Sequence, residues 1–314
     1  MKLTRIAHTV VCFALICSTN TLFAEPLRVV SYNVENLFHP ANDSITDDEE
    51  WTPEGMRRWS YTRYYKKEEN IARVLTSIGE WDGVDVVGLQ EVENALCVKR
   101  LCYTLRRGEY DLVHYDSPDR RGIDVAFVYK KARVDTIRTR AIEVDLKTET
   151  TRDILYVCAQ IDKRDTIHFF VCHMPSQRGG RAESEWKRVI AKEVLQESVD
   201  SILTIEPEAK IIVMGDMNSE PLEDLKGLAN RMSGLELSGL VGGTHKYQGQ
   251  WTCLDQFYLS SPLDNNSKVW IFEADWLLES DDKYLGLKPK RTYNGYRYRN
   301  GYSDHLPIVL ECRR

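Results

Sequence analysis

Six short stretches place acids, amides and imidazoles where the chain reads as leaving a strand. The densest is IIVMGDMNSEP (211–221), in which four apolar residues run into Gly215, Asp216 and Asn218. If the strand continues, period-two spacing points Asp216 and Asn218 to one side. A carboxylate beside an amide can take a proton from a water and aim it at phosphorus, and Gly215 lets the backbone approach closely. YSDHLPIVL (302–310) sets Asp304 next to His305. On extended backbone these two face opposite sides, so a carboxylate could face a metal while an imidazole faces substrate. SYNVENLF (31–38) delivers Asn33 to a loop, where its amide could ligate a hard cation, bond a phosphate oxygen, or simply form a turn. GLQEVEN (88–94) carries Gln90 and Glu91 at the end of a run apolar on both faces. A buried acid there needs a metal or a helix N-terminus as partner. In FVCHMPSQRGG (170–180), His173 follows an apolar strand into a Gly-rich loop bearing Arg178, an arrangement that suits anion binding. In RRGIDVAFVY (120–129), Arg121 and Asp124 straddle a strand start, as a phosphate contact or as an internal ion pair.

The elements that must hold these residues are short β-rich runs, bounded for the most part by turn residues: 27–32, 84–89, 123–129, 154–161, 166–172, 211–214, 256–259 and 307–310. Two long helical patterns interrupt them. Ile71, Val74, Leu75 and Ile78 repeat at helical spacing, and so do Trp186, Val189, Ile190 and Val194. A weaker helix covers about 93–106. Hairpin strands with outlying helices imply two sheets packed face to face with helices outside. No linker, repeat or low-complexity tract divides residues 25–314, and the acidic run 47–50 reads as a solvated loop.

In order, SYNVEN, LQEVEN, the strand-end His173, GDMN, LDQFYLS (254–260) and SDHLP resemble the endonuclease/exonuclease/phosphatase superfamily of metal-dependent phosphoesterases. The resemblance spans 27–312 and implies one domain over 25–314, a four-layer α/β/β/α sandwich with its site where the loops of the two sheets meet. It implies metal ligation by Asn33, Glu91 and Asp304, with Glu91 primary. It makes Asp216 the residue that positions or deprotonates the attacking water, with Asn218 as partner. His305, oriented by Asp255, and His173 become the imidazoles that touch the scissile phosphate. Two positions depart from the family pattern: Gln256 follows Asp255, and Cys172 precedes His173.

An oxygen-only ligand set suits Mg²⁺ or Mn²⁺, with Ca²⁺ in a supporting site. No Ser or Cys nucleophile stands beside a base in any motif, which points to direct attack by water. Residues 291–302 interleave Arg291, Arg297 and Arg299 with Tyr293, Tyr296, Tyr298 and Tyr302. Arginines and aromatic rings can grip a strand by phosphate contact and base stacking. Arg121, Arg178, Arg297 and Tyr298 are therefore the candidate substrate contacts, and nucleic acid the expected substrate. Phospholipid or a phosphorylated small molecule is the alternative, along with a binding protein that does not turn its ligand over. No obligate protein partner is implied.

Composition sets outer limits. The 314 residues are 42% hydrophobic and 29% charged, which excludes a disordered or fibrous chain. Lys2, Arg5 and the apolar run 9–17 have the layout of a signal peptide ending near Ala24, so a secreted or periplasmic protein is expected, and a lipid anchor on Cys17 is the weaker reading. Residues 1–24 carry Lys2, Arg5 and no acid. Beyond them 40 Lys+Arg face 48 Asp+Glu, a net charge of −8. Such a chain binds phosphate backbones through local patches and in a salt-sensitive way. Six cysteines remain, with no C-x-x-C spacing for zinc. Cys97–Cys102 and Cys158–Cys172 could be disulfides, or all six could be buried thiols.

Overall fold

A computed structural model describes residues 25–313 except 44, 222–224, 234 and 238. The expected signal peptide lies outside the described residues. In chain order the elements are β1 (Leu27–Leu37), α1 (Tyr61–Gly79), β2 (Val86–Val92), α2 (Ala95–Leu105), β3 (Tyr110–His114), β4 (Asp124–Lys130), β5 (Val134–Ile142), β6 (Ile154–Ile161), β7 (Asp165–His173), α3 (Arg181–Ile205), β8 (Lys210–Asp216) and β9 (Leu228–Asn230). The hairpin β10 (His245–Tyr247) and β11 (Gln250–Thr252) follows, then β12 (Asp255–Ser260) and β13 (Ser267–Ile271). Two further small hairpins, β14 (Leu278–Ser280) with β15 (Leu287–Pro289) and β16 (Tyr293–Asn294) with β17 (Arg297–Tyr298), precede β18 (Ile308–Cys312).

The strands form two six-stranded mixed sheets, ordered β13-β18-β1-β2-β4-β3 and β5-β6-β7-β8-β12-β9. Alternation explains the layering. Along β8, Ile212 and Met214 face the core shared with the first sheet, and Ile211 and Val213 face α3. A strand covered on both faces reads as continuously apolar, as 211–214 does. The sheets approach closely where β2 meets β8: a Cβ on Gly88 would lie 2.9 Å from Met214 Sδ. α1 and α2 cover the outer face of the first sheet and α3 that of the second, which gives the four layers read from the sequence.

Helix boundaries follow local chemistry. Ser60 caps α1 by accepting from Arg63 N–H, and Asn94 caps α2 by accepting from Cys97 N–H. α1 buries the expected stripe Ile71, Val74, Leu75 and Ile78. α3 differs from the sequence reading. Ile190 and Val194 of the expected stripe pack half-buried against the core of the second sheet beside the buried Ala191, Leu195 and Val199, while Trp186 and Val189 are exposed. The six cysteines beyond residue 24 are all free thiols, so neither candidate disulfide forms.

Gly215 sits at φ +146°, and a Cβ there would lie 1.9 Å from the Cys172 carbonyl oxygen on β7. Gly215→Ala is expected to cost well over about 1 kcal/mol, because both the backbone region and the space are wrong for a side chain. Thermal unfolding would show this as a lowered Tm. An unchanged Tm would mean that this approach of β7 to β8 is not needed.

Candidate active site

Register brings the central groups together. His173 on β7 is paired with Asp216 on β8, and Asp216 is paired with Asp255 on β12. Three strand ends thus line up one row of side chains on the second sheet. The first sheet supplies Asn33, opposite Gln90, and then Glu91 from a register break between Gln90 and Val92. Such a break re-aims the side chain that follows it. Glu35, Asn36, Glu91 and Asn218 all hold positive φ, between 48° and 65°. They are four of the twelve described non-glycine residues with positive φ, and Glu35 and Glu91 hold it without the tolerance of an asparagine. His305 comes from the loop before β18 and bridges to His245 on β10.

Asp216 is fixed from two sides. Its Oδ1 accepts from Asn218 N–H at 2.9 Å, and its Oδ2 accepts from Asn33 Nδ2 at 3.1 Å. That same Oδ2 lies 3.6 Å from His173 Nε2 and 3.8 Å from His305 Nε2. Glu91 Oε2 accepts from Asn36 N–H at 3.0 Å, which turns Oε1 to 3.9 Å from His173 Nε2. These gaps exceed hydrogen-bond length, and one oxygen of water or phosphate seated beside a pair, rather than between its members, can bond both. His305 Nδ1 lies 2.7 Å from Asp255 Oδ2, so Asp255 orients the ring.

Electrostatics separate the two imidazoles. Burial disfavours a charged His305, but Asp255 and Asp216 outweigh it and hold the ring well above the usual histidine range. Burial, reinforced by Arg152 and Arg121, holds His173 well below that range. One imidazole is therefore cationic and the other neutral at neutral pH. Burial pushes Asp216 up to about 7, with His305 opposing and Asp255 adding.

The sign of the pH dependence follows. Asp216 must be ionised to accept a proton, so kcat/KM should fall as pH drops through about 7. His305 must stay protonated to stabilise a phosphoryl oxygen, so kcat/KM should also fall as pH rises through its elevated value. The two groups titrate as a coupled pair, and a cation beside Asp216 favours its ionised form. The acid limb should therefore move to lower pH as Mg²⁺ is raised. A rate profile at several Mg²⁺ concentrations checks this, and an acid limb that ignores Mg²⁺ would contradict it.

The other residues read from the sequence divide. Asn218 has its backbone at the site, but its side chain donates to Met174 O at 3.1 Å and ties down the loop after His173. Asp304 bonds Arg291 Nη2 at 2.6 Å, and Arg291 pulls its carboxyl down to about 2 against the opposing effect of burial. Arg291 Nε also donates to Glu35 at 3.3 Å. Arg121 approaches Asp119 at 3.6 Å, while Asp124 faces His114 at 3.4 Å. The buried Arg–Asp pair of this region is Arg152–Asp119, at 2.9 Å. Arg178 is exposed on the loop after β7, and Arg297 is exposed on β17. Tyr298 packs on Tyr293 beneath the Arg63 guanidinium.

Sequence reasoning passed over Glu35, Lys67 and His245, and gave Arg291 only a place in the basic and aromatic run. Lys67 is buried beside Glu35 at 4.0 Å, and burial pulls its ammonium down to about 8 against the attraction of Glu35. His245 stacks on His305 with ring centroids 4.7 Å apart. The available signal was Glu35, two residues past Asn33 in the same motif. An acid leaving a buried strand implies a cation such as Arg291.

For a divalent cation, Glu91 Oε1 points into the space before His173 and Asp216, and carboxylate and amide oxygens of this kind suit Mg²⁺ or Mn²⁺. Glu91 and Asp216 fit such an ion, and Asn33, whose Oδ1 accepts from Glu35 N–H at 3.0 Å, would join through the second lone pair of that oxygen. Asp304 would join only by sharing its carboxylate with Arg291. Among the described residues the tightest His/acid group is elsewhere: His114, Asp116 and Asp124, at the ends of β3 and β4.

Comparison with known proteins agrees with this architecture. No curated protein sequence matches the chain at a significant level. Truncated Caenorhabditis elegans TDP2 superposes with a TM-score of 0.59 at 16% identity, over 92% of this chain and 98% of that one. A mannosyl-6-phosphatase of Bacteroides thetaiotaomicron gives 0.56 at 16% identity, over 91% and 99%. The human Nocturnin catalytic domain with bound sulfate gives 0.55 at 16% identity, over 91% and 94%. At these identities the likeness is one of fold. The family profile described as Endonuclease/Exonuclease/phosphatase family matches residues 28–314. On that match over nearly its whole length, the chain belongs to the endonuclease/exonuclease/phosphatase family.

Proposed function

We propose that this protein is an exported, metal-dependent phosphoesterase that hydrolyses phosphodiester bonds of DNA or RNA by direct attack of water. The observation that carries the reading is the linked set Asp255–His305, Asp216, His173 and Glu91, whose polar atoms lie 3.6–3.9 Å apart and so converge on one point beside them. Asn33 and the Asn218 amide hold the Asp216 carboxylate still, so that it can orient a water and take its proton. His305, kept cationic by Asp255, and neutral His173 donate toward phosphoryl oxygens as charge builds there. A divalent ion held by Glu91 and Asn33 would neutralise phosphoryl charge and ease departure of the leaving oxygen. The signal-like layout of residues 2–24 supports export.

A diester of nucleic acid is favoured because cations flank the site on both sides. On one side Lys246, Lys283, Lys288 and Arg291 line a cavity together with Asp281, which pairs with Lys246 and Lys288, and Asp304, which pairs with Arg291. On the other Arg178 and Arg181 line a cavity of about 790 Å³ that reaches Asn218 and His245. A phospholipid diester is the second reading. It rests on Tyr247, Tyr284 and Leu285, exposed on neighbouring loop tips beside those lysines, a mixture that suits a membrane surface. A mannose 6-phosphate monoester is a third, prompted by the activity named for the Bacteroides neighbour.

The test is hydrolysis of plasmid DNA, RNA, sphingomyelin vesicles and mannose 6-phosphate by residues 25–314, with Mg²⁺ and with EDTA. Metal-dependent cleavage of DNA or RNA is the expected result. Turnover confined to the vesicles or the sugar phosphate would overturn the nucleic-acid substrate while keeping the chemistry.

A further inference from the structure

The loops that leave β5 and β7 enclose a second, smaller cavity of about 220 Å³ beside the catalytic row. Arg121, Arg152, Arg178 and Lys187 line it, with Thr151 and Ser176 supplying hydroxyls and Glu149 the one acid. Arg152 is spent on the scaffold: it donates to Asp119, to His173 O at 3.2 Å and to Met174 O at 2.7 Å. It thereby ties the cavity wall to the backbone of a catalytic residue. Lys187 pairs with Glu149 at 2.5 Å, and Arg121 is only loosely held by Asp119 at 3.6 Å.

A second observation points to a ligand. Thr151 is 3% exposed, and its Oγ1 has no hydrogen-bond partner. A buried hydroxyl left unpaired costs stability, and an acceptor supplied through the cavity that Thr151 lines would relieve that cost. With Arg152 engaged and Lys187 sharing its charge with Glu149, the loosely held Arg121 and the exposed Arg178 are the cations that, with Lys187, fit an oxyanion with the charge of phosphate. Arg178 and Ser176 also line the 790 Å³ cavity that reaches Asn218 and His245. The two cavities therefore share the wall formed by Ser176 and Arg178.

We infer that this cavity holds a second phosphate of the substrate strand, one that flanks the scissile phosphate and passes over the 175–181 loop. The inference rests on the nucleic-acid reading and specifies how the strand lies. Phosphate contacts of this kind fix register and orientation and carry no sequence information. The protein is then expected to act on strands of any sequence with an affinity set by salt, although its overall charge is negative.

The experiment is fluorescence anisotropy of a labelled single-stranded oligonucleotide without metal, as a function of salt. It compares wild type with Arg121→Gln, Lys187→Gln and Thr151→Val, and uses Lys268→Gln, on β13 at the far edge of the other sheet, as the charge-matched control. The salt slope should fall by about 1 for each of Arg121→Gln and Lys187→Gln, and stay unchanged for Lys268→Gln. Thr151→Val removes no charge. It should weaken binding several-fold at constant salt slope while raising the Tm of the free protein, because an unpaired buried hydroxyl is gone. With the bound strand as substrate, the loss should appear mainly in KM. Equal slopes for all charge variants, or a Thr151→Val protein that binds as wild type, would overturn the inference. The readout is binding alone, so it is separable from the reaction. Binding lost as described in a protein that cleaves no nucleic acid would sink the nuclease reading and leave the phosphate cavity standing. Turnover with equal slopes would do the reverse. Absence of any oligonucleotide binding by wild type overturns the inference outright.

Discussion

Asp216→Asn should lower kcat by about 10²–10⁴-fold, the span expected when the proton acceptor is removed from a positioned water. The substitution keeps shape and removes charge. Asn218 N–H can still donate to the remaining oxygen, while Asn33 Nδ2 now meets another amide, so one hydrogen bond is lost. That loss costs about 1 kcal/mol. Against it stands the removal of a buried carboxylate whose carboxyl is raised to about 7. The raised value sets the sign. The contribution of Asp216 to stability is fully present below the ordinary carboxylate range and is lost as pH climbs to about 7. Above pH 7 the native protein therefore holds an ionised Asp216 at a cost that the amide variant does not bear. The expected result is a folded, inactive protein whose Tm at about pH 8 is close to or above that of wild type. Calorimetry beside a rate measurement checks both halves. An active variant would remove Asp216 from the chemistry, and an unfolded one would make it a scaffold residue.

Glu91→Ala is the second large effect. Its carboxylate is the acid most free to take a cation, because Asn36 N–H engages only Oε2. Loss of that ligand should remove several kcal/mol of transition-state stabilisation, about 10²–10⁴ in rate at fixed Mg²⁺. It should also raise the Mg²⁺ concentration needed for half activity. Titration of the protein with Mn²⁺, followed calorimetrically, gives a readout independent of turnover: binding should weaken or vanish in the variant. Unaltered Mn²⁺ affinity would place the ion elsewhere, and the His114, Asp116 and Asp124 group would then be the first site to test.

The sequence made the centre of this fold legible and its margins illegible, for one physical reason. The eight runs read as strands are β1, β2, β4, β6, β7, β8, β12 and β18, the inner strands of the two sheets. Covered on both faces, each carries a run of apolar residues that the sequence shows plainly. The unread strands of those sheets, β3, β5, β9 and β13, are their four edges. β5, VDTIRTRAI, alternates polar with half-buried residues, because an edge needs little apolar surface and is better protected by charge. In α3 the stripe Trp186, Val189, Ile190 and Val194 is half right: Ile190 and Val194 pack against the core of the second sheet beside Ala191 and Leu195, and Trp186 and Val189 face solvent.

The site was legible for a different reason. His173, Asp216, Asp255 and His305 sit at or near inner strand ends, whereas Asn33, read as entering a loop, lies inside β1 at a register break, as Glu91 does in β2, and register on the two sheets brings these candidate residues together. What escaped were groups whose importance arises from partners distant in sequence. Arg291 matters through Glu35 and Asp304, and His245 through its stacking on His305. Thr151 gains meaning only from the cavity around it. Asn218 shows the converse. Its spacing from Asp216 suggested a side chain beside the carboxylate, but a positive φ of 48° sends the amide to Met174 O and leaves only its backbone N–H at the site.

The central claim is that water held by Asp216 attacks phosphorus directly. A single turnover in ¹⁸O-labelled water, with enzyme in excess over a DNA substrate and Mg²⁺ present, tests it. Direct attack predicts that the phosphate end formed in that first turnover carries one ¹⁸O and that the released hydroxyl carries none. An unlabelled phosphate in the first turnover would mean that a protein oxygen attacked first, and label in the hydroxyl would mean that the C–O bond broke. Either result would contradict attack on phosphorus by a water that Asp216 holds.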